Sequence, residues 1–403
     1  MSASTTSRTV IIGAGIAGVS AAGALRTAGH DGEIVLLGDE TELPYRRPPV
    51  SKEIIRGEKT ADEIRIKKAE WYEQQAVGLR LETTVLAVDV DARAVQLSDG
   101  QELAYDQLLI ATGGRARGPW TASGIRKLRR LADVPQLQRE LSAGTSIIVV
   151  GAGLIGSEIA ASARGLGCAV TLLETAPLPL PRLLPPELAQ MYVDLHKSEG
   201  TDLHTGVTVA SIETVPTDRP GGETVVRADD GRSWSAPVVV VAVGMEPNIE
   251  LAEAAGIEIA SPADGGGITV DAHGRTSAPG VFAAGDVANL PNAVLGGRHR
   301  VEHWQGAQTH GTAVGKNMAG GDIPFVEVPW CWSDQYGHTL QVTGWPLATH
   351  ELVVRGSLAD HDFCAYLLED GIVRGAVGMA RPRDIRTAGT WIADHARLDE
   401  VMT

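Results

Sequence analysis

Six glycines, arranged as two copies of the pattern Gly-x-Gly-x-x-Gly, are the residues of this chain whose type and spacing point most directly to chemistry. The copies consist of Gly13, Gly15 and Gly18, and of Gly151, Gly153 and Gly156. The first glycine of such a pattern allows a tight turn, the second lets the backbone approach a pyrophosphate, and the third lets a helix pack closely on a sheet. The following helix presents its N-terminus to the phosphates. The two copies predict two dinucleotide-binding sites.

A strand–helix–strand unit must surround each pattern to position its glycines. In residues 10–40 and again in 148–175, a β-branched run precedes the glycines, an alanine-rich stretch follows, and a second apolar run ends on an acid, Asp39 or Glu174. A carboxylate at this position accepts hydrogen bonds from a ribose. Because no arginine follows Glu174 directly, the second site is predicted to favour NADH over NADPH. The alternative is two structural turns without a ligand.

Length and composition limit the classes of protein to which this chain can belong. Its 403 residues are enough for two or three domains, and no apolar run approaches the length of a membrane span. The net charge of −15 argues against general nucleic-acid binding. The three cysteines have no spacing suited to a zinc site or a disulfide framework. We therefore expect a cytoplasmic protein without a metal site.

The proline-rich stretch 43–58 follows the first unit and cannot form a continuous helix. Such a stiff loop can hold Arg46 and Lys52 in fixed positions, although an ordinary surface turn with solvated charges is the alternative. Short alternating segments between 63 and 99 indicate a small β insertion. The segment from 323 onwards indicates a C-terminal α+β domain.

With these residues assembled, the chain resembles the FAD-dependent, NADH-linked ferredoxin reductases of oxygenase systems, of the putidaredoxin reductase and biphenyl dioxygenase reductase type. The resemblance covers nearly the whole chain and rests on segments in the family's order: GDETELPYRRPPVSK, ATGG, GAGLIGSE, VGMEPN, FAAGDVAN, RVEHW and PWCWSDQYGHTLQVTG. It implies an α/β fold with two Rossmann-like dinucleotide-binding domains and the C-terminal domain. It also implies FAD in a discontinuous domain (1–112 and 245–322), NADH in a second (113–244), and a third domain at 323–403.

The resemblance also assigns individual site residues. It implies that Ala17 and Asp39 hold the adenosine half of FAD and that Lys52, paired with Glu158, lies near the flavin. Together with Arg46, further residues are predicted to bind or line FAD: Val85, Arg129, Asp286 and Trp304.

The mechanism follows in part from a difference from disulfide reductases of this fold, which need a cysteine pair close to the flavin. The corresponding loop holds only RRPPVSK. We therefore expect NADH to give a hydride to FAD, and single electrons to pass to a 2Fe-2S ferredoxin that serves a monooxygenase or dioxygenase. A positive patch that includes Arg46, Arg47, Arg298 and Arg300 is expected to dock the ferredoxin. The alternatives are another acceptor, such as rubredoxin, quinone or oxygen, and an NADH-sensing flavoprotein.

Overall fold

The computed structural model describes residues 7–216 and 222–401. Within these ranges the helices are α1 (Ile16–Thr27), α2 (Ala69–Gln74), α3 (Val134–Glu140), α4 (Leu154–Gly165), α5 (Pro186–Ser198), α6 (Glu250–Ala254), α7 (Trp304–Met318), α8 (Pro382–Ala393) and α9 (Leu398–Val401).

The strands are numbered in chain order. Those before residue 217 are β1 (Arg8–Ile12), β2 (Glu33–Leu37), β3 (Val77–Arg80), β4 (Val85–Asp89), β5 (Ala94–Leu97), β6 (Glu102–Ala104), β7 (Gln107–Ile110), β8 (Gly114–Ala116), β9 (Ile125–Arg126), β10 (Ser146–Val150), β11 (Ala169–Leu173), β12 (Asp202–His204) and β13 (Val209–Val215). Those after residue 221 are β14 (Glu223–Ala228), β15 (Ser233–Ala236), β16 (Val238–Val241), β17 (Met245–Pro247), β18 (Ile268–Thr269), β19 (Val281–Ala283), β20 (Ala288–Pro291), β21 (Arg298–His299), β22 (Trp330–Gln335), β23 (His338–Gly344), β24 (Glu351–Ser357), β25 (Asp362–Glu369) and β26 (Ile372–Met379).

The described residues group into two compact units. The first unit takes in the segments Met1–Arg46, Asp62–Arg115 and Pro247–Pro329, as far as they are described. The second takes in Arg47–Ala61, Ala116–Glu246 and Trp330–Thr403, with the same restriction. The division into three domains that the sequence suggests stays a prediction.

A parallel five-stranded sheet of order β19-β7-β1-β2-β3 forms the centre of the first unit. The apolar strands β1 and β2 have little exposed surface, because α1 packs on one face of the sheet and residues of β4, β5 and β6 pack on the other. Helix α1 packs on α7. At this crossing a Cβ atom at Gly311 or Gly315 would overlap the backbone of Ala17 or Ala21, so these glycines permit the close approach. The antiparallel sheet β4-β5-β6 is the β insertion that the sequence predicts.

A second parallel sheet, of order β12-β11-β10-β16-β9, lies in the second unit. Its all-valine strand β16 is fully buried. The same unit contains the antiparallel sheet β13-β14-β15 and a five-stranded sheet of order β22-β23-β26-β25-β24. Helix α8 packs on β23 and β26 of this last sheet through Ile385, Ala388 and Ile392. The predicted fold class, two Rossmann-like regions and a C-terminal α+β region, is confirmed.

Within the two described ranges, 7–216 and 222–401, no helix is long and apolar enough to span a membrane.

Candidate functional site: two dinucleotide cradles and a buried lysine

The first glycine turn connects β1 to α1. Gly13 has a φ of +110°, which side chains rarely tolerate, and a Cβ atom there would overlap the carbonyl oxygen of Ala111. A Cβ at Gly18 would overlap the carbonyl oxygen of Gly13. At Gly15, by contrast, a Cβ would meet no atom of the described residues within 4 Å. The turn is therefore tightly packed on its protein side and open at Gly15.

Gly15 is also the N-cap residue of α1, and it has no side chain that could cap the helix. The first N–H groups of an α-helix lack partners within the helix and carry the positive end of its dipole. Open space and unused donors at one point form a cradle for an anion such as a pyrophosphate. These residues fit the adenine dinucleotide FAD that the sequence predicts.

The second glycine turn, between β10 and α4, repeats this geometry. Gly151 has a φ of +102°, and a Cβ there would lie 2.5 Å from the carbonyl oxygen of Ala242. A Cβ at Gly156 would overlap the carbonyl oxygen of Gly151, whereas a Cβ at Gly153 meets no described atom within 4 Å. Gly153 is the N-cap residue of α4. The residues of this turn fit NADH for the same reason.

The two acids that follow the units differ in their surroundings. Asp39 is exposed just beyond the end of β2. Glu174 follows β11 and accepts hydrogen bonds from the backbone N–H groups of Ala152, at 2.6 Å, and Ala176, at 2.8 Å. Because Ala152 lies inside the glycine turn, Glu174 is tied to the cradle itself. The carboxylate would accept hydrogen bonds both from a ribose and from these backbone N–H groups.

A second turn of the first unit, at Gly285 and Asp286, lies next to the first cradle. Gly285 has a φ of +78°, and a Cβ there would be 2.8 Å from the Cβ of Ala17 on α1. The N–H of Gly285 donates to Nδ1 of His310 on α7 at 3.2 Å. Thus Ala17 and the Gly285–Asp286 turn, which are far apart in sequence, lie close together.

The other predicted FAD residues of the first unit have distinct environments. Trp304 is the first residue of α7 and is partly buried. Arg46 is exposed and donates to the carbonyl oxygen of Glu63 at 3.0 Å. Val85, the first residue of β4, is buried in a hydrophobic cluster with Leu97. Their predicted roles toward FAD stay predictions.

Lys52, Glu158 and Arg129 belong to the second unit. Lys52 directly follows a 3₁₀ helix, Pro48–Ser51, and only 4% of its side chain is exposed. Its Nζ atom lies 3.6 Å from Oε1 of Glu158, so the two side chains that the sequence suggests as a pair do meet. Arg129 donates its N–H to Asp133 at 2.8 Å, and its carbonyl oxygen accepts from Arg47 at 2.8 Å.

Glu158 lies on α4 and is buried among hydroxyl groups. Its Oε2 accepts from Ser51 at 2.5 Å, and its Oε1 accepts from Ser333 at 2.8 Å. Burial raises the pKa of Glu158, and the charge of Lys52 and the two hydrogen bonds only partly oppose this rise.

Asp334, on β22, is a member of this cluster that sequence reasoning did not identify. Its Oδ2 lies 2.8 Å from Nζ of Lys52, whereas Oε1 of Glu158 lies 3.6 Å from the same atom. Ser51 and Ser333 were missed as well. The only signals were the segments GDETELPYRRPPVSK, which contains Ser51, and PWCWSDQYGHTLQVTG, which contains Ser333 and Asp334. Neither indicates which distant residue these side chains meet.

Two family models match the chain. The model described as pyridine nucleotide-disulphide oxidoreductase matches residues 7–311, and the one described as reductase C-terminal matches residues 330–402.

Individual proteins are similar over almost the full length. The ferredoxin–NAD(+) reductase component of the p-cumate 2,3-dioxygenase system of Pseudomonas putida is 38% identical over 399 residues, which cover 98% of this chain and 95% of the relative. The corresponding component of the biphenyl dioxygenase system of Paraburkholderia xenovorans strain LB400 is 38% identical, covering 94% and 91%. A chain of the crystal structure of the covalent putidaredoxin reductase–putidaredoxin complex superposes with a TM-score of 0.91 at 35% identity, covering 96% and 93%.

Proposed function

This chain belongs to the pyridine nucleotide-disulphide oxidoreductase family, and we propose that it is an NADH-dependent ferredoxin reductase. It takes a hydride from NADH onto FAD and passes single electrons to a 2Fe-2S ferredoxin that supplies an oxygenase. The observation that carries the proposal is the pair of open glycine cradles in one chain. Similarity to ferredoxin–NAD(+) reductase components over nearly the whole chain supports the choice of acceptor.

The chain's own residues bind and orient the two cofactors. In this proposal the cradle at Gly15 receives the pyrophosphate of FAD, and Asp39 binds its ribose. The cradle at Gly153 receives NADH, with Glu174 at the ribose. A 2′-phosphate next to Glu174 would meet a carboxylate, which is why NADH is preferred. FAD, when bound, supplies the conversion of a two-electron donor into two one-electron transfers.

The overall reaction balances without a redox-active side chain. One NADH and two oxidised ferredoxins give NAD⁺, one proton and two reduced ferredoxins. The three cysteines, Cys168, Cys331 and Cys364, are buried and unpaired in the described part of the chain, and the 43–58 loop contains none of them. Unpaired cysteines also fit a reducing compartment, so we include a cytoplasmic location in the proposal.

The arginines proposed for ferredoxin docking are less available to a partner than the sequence suggests. Only 11% of the Arg300 side chain is exposed, and it pairs with Glu302 at 2.7 Å. Arg47 is partly buried against the carbonyl oxygen of Arg129. Arg298 is exposed but donates to the backbone of Val270 and Asn289. Arg46 is exposed and donates to the carbonyl oxygen of Glu63, and we use it to test docking by charge.

The central experiment follows the reduction of a purified 2Fe-2S ferredoxin by the FAD-loaded protein and NADH. We expect rapid reduction of two ferredoxins per NADH. Faster turnover with rubredoxin, quinone or oxygen would favour another acceptor, and a long-lived reduced flavin with slow turnover would favour a sensor.

Docking by charge has its own test. Arg46→Glu should raise the KM for ferredoxin at low salt, because charge attraction acts over a Debye length of about 8 Å at physiological ionic strength. Arg355→Glu, a matched charge reversal at an exposed position of β24, serves as the control. Equal KM values for both variants and wild type would argue against a docking role for Arg46.

A further inference from the structure

Lys52 lies between two carboxylates that hold it unequally. Its Nζ atom is 2.8 Å from Oδ2 of Asp334 and 3.6 Å from Oε1 of Glu158. It also lies over the ring of Trp332, 5.4 Å from the ring centroid. The short hydrogen-bonded contact is thus made to Asp334, a residue of the C-terminal sheet that no sequence motif links to the lysine.

Glu158 is stabilised without a short contact to Lys52. Ser51 and Ser333 donate to its two oxygens, one each. Ser333 in turn accepts from Nε2 of Gln335 at 3.1 Å, which fixes its hydroxyl group. Replacing Lys52 would leave these hydrogen bonds in place. The buried carboxylate and the lysine are therefore partly independent.

Asp334, in contrast, is held in a position that suits the ammonium group. Its second oxygen, Oδ1, accepts from the hydroxyl of Thr339 at 2.6 Å on the neighbouring strand β23. Although burial would raise the pKa of Asp334, hydrogen bonds from Lys52 and Thr339, the charge of Lys52 and a hydrogen bond from Trp332 lower it. Asp334 is therefore a carboxylate that stays ionised opposite Lys52.

We propose that Asp334 is the positioning residue of Lys52: it holds the ammonium group and offsets part of its positive charge, and so sets how strongly Lys52 stabilises the reduced flavin. This inference rests on the proposed function and on the place near the flavin that the family resemblance implies for Lys52. A cation near the flavin favours the anionic reduced form. Asp334 weakens that field, which favours electron release to a ferredoxin over retention of the electrons.

The test measures the midpoint potential of the bound flavin in the FAD-loaded protein at neutral pH. D334N should shift the potential to a more positive value, and K52M should shift it to a more negative one. D334E, which keeps the charge, should restore a value near wild type. D362N removes a carboxylate of the same sheet that pairs with Arg381, and it serves as the matched control.

A double variant separates action through Lys52 from a direct effect of the lost charge. If Asp334 acts through Lys52, D334N should change the potential much less in the K52M background than in wild type. The proposal is overturned by an unchanged potential in D334N, by an equal shift in D362N, or by the same shift in both backgrounds. None of these results depends on whether ferredoxin is the acceptor.

A second measurement tests whether Asp334 holds Lys52 in place, the part of the proposal that does not depend on bound flavin, and so it stays informative if the proposed function fails. The rate of acylation of the Lys52 amine is followed by mass spectrometry in the folded protein. D334N should be labelled severalfold faster than wild type and D362N, because the Lys52 amine is no longer held by its shortest partner. Equal labelling rates would overturn the proposal.

Discussion

The two glycine turns have almost the same geometry but very different neighbours. The φ values of Gly13 and Gly151 are +110° and +102°, and Gly15 and Gly153 are both open N-cap positions. Helix α1, after the first turn, packs through alanines against glycines of α7. Helix α4, after the second, carries the buried Glu158, bonded to Ser51 and Ser333. A local pattern therefore fixes the cradle, whereas the surrounding chain decides what else its helix does.

The largest expected effect tests whether both turns need a glycine without a side chain at their third glycine position. Gly18→Ala and Gly156→Ala should each lower the free energy of unfolding by about 2–4 kcal/mol, because the new Cβ overlaps a carbonyl oxygen of the same turn. Urea denaturation of the cofactor-free protein measures this. Gly15→Ala and Gly153→Ala are the controls, with a smaller cost of up to about 1 kcal/mol, because alanine is a poorer N-cap residue than glycine. Comparable losses at all four positions would show that the steric account is wrong.

Asp39 is predicted to contribute to the binding of FAD and not to that of NADH. Asp39→Ala should weaken FAD binding by about 1.5–3 kcal/mol, since a charged hydrogen bond to the ribose is lost. Titration of the cofactor-free protein with FAD measures the affinity, and Asp31→Ala, at another exposed aspartate, is the control. If FAD binds Asp39→Ala as tightly as wild type, Asp39 does not bind the ribose.

Glu174 should behave differently from Asp39, because it also accepts a hydrogen bond from the backbone of its own glycine turn. Glu174→Arg should raise the NADPH to NADH ratio of kcat/KM about tenfold, equivalent to ~1.4 kcal/mol. It should also lower stability, since the N–H groups of Ala152 and Ala176 lose their acceptor. Glu174→Gln separates the two effects, because it keeps an amide oxygen for the backbone but removes the charge. A ratio that is the same in all three proteins would place the specificity elsewhere.

The last prediction concerns pH and compares one buried histidine in each unit, His310 in the first and His196 in the second. Burial lowers the pKa of both to about 4. The unfolded chain, with pKa values near the ordinary 6.5, binds more protons between these limits, so stability should fall as the pH drops from about 6.5 to 4. His310→Asn and His196→Asn should each reduce this slope by up to about 1.4 kcal/mol per pH unit. Chemical denaturation at several pH values measures the slope, and an unchanged slope in both variants would contradict the account.

Much of the fold could be predicted because its signals are local. The alternation between apolar runs and glycine-opened helices predicted β1, α1 and β2, and again β10, α4 and β11. The interruption by prolines excluded a continuous helix in the 43–58 loop, where only the short 3₁₀ helix Pro48–Ser51 forms. These features depend on backbone conformation and burial over a few residues, which residue type largely controls.

The contacts of Lys52 illustrate what residue types and spacing do not reveal. The sequence suggested Glu158 as a partner through a resemblance, but Asp334 lies on β22, far along the chain, and makes the shorter contact. An aspartate between a serine and a glutamine on a strand has no local signature of an ion pair. Only the position of β22 in its sheet decides which side chain Asp334 meets.

The sequence by itself determined the two cradles, because the positive φ of Gly13 and Gly151 and the open space at Gly15 and Gly153 follow from the absence of side chains at particular positions in a turn. It also determined the acids that end the second strands. The tertiary structure alone decided that Glu174 is shared with the backbone of its turn, that Ala17 meets Gly285, and that Asp334 rather than Glu158 makes the short contact to Lys52. The physical reason is that backbone conformation is a property of neighbouring residues, whereas the position of a charge depends on packing between elements distant in the chain.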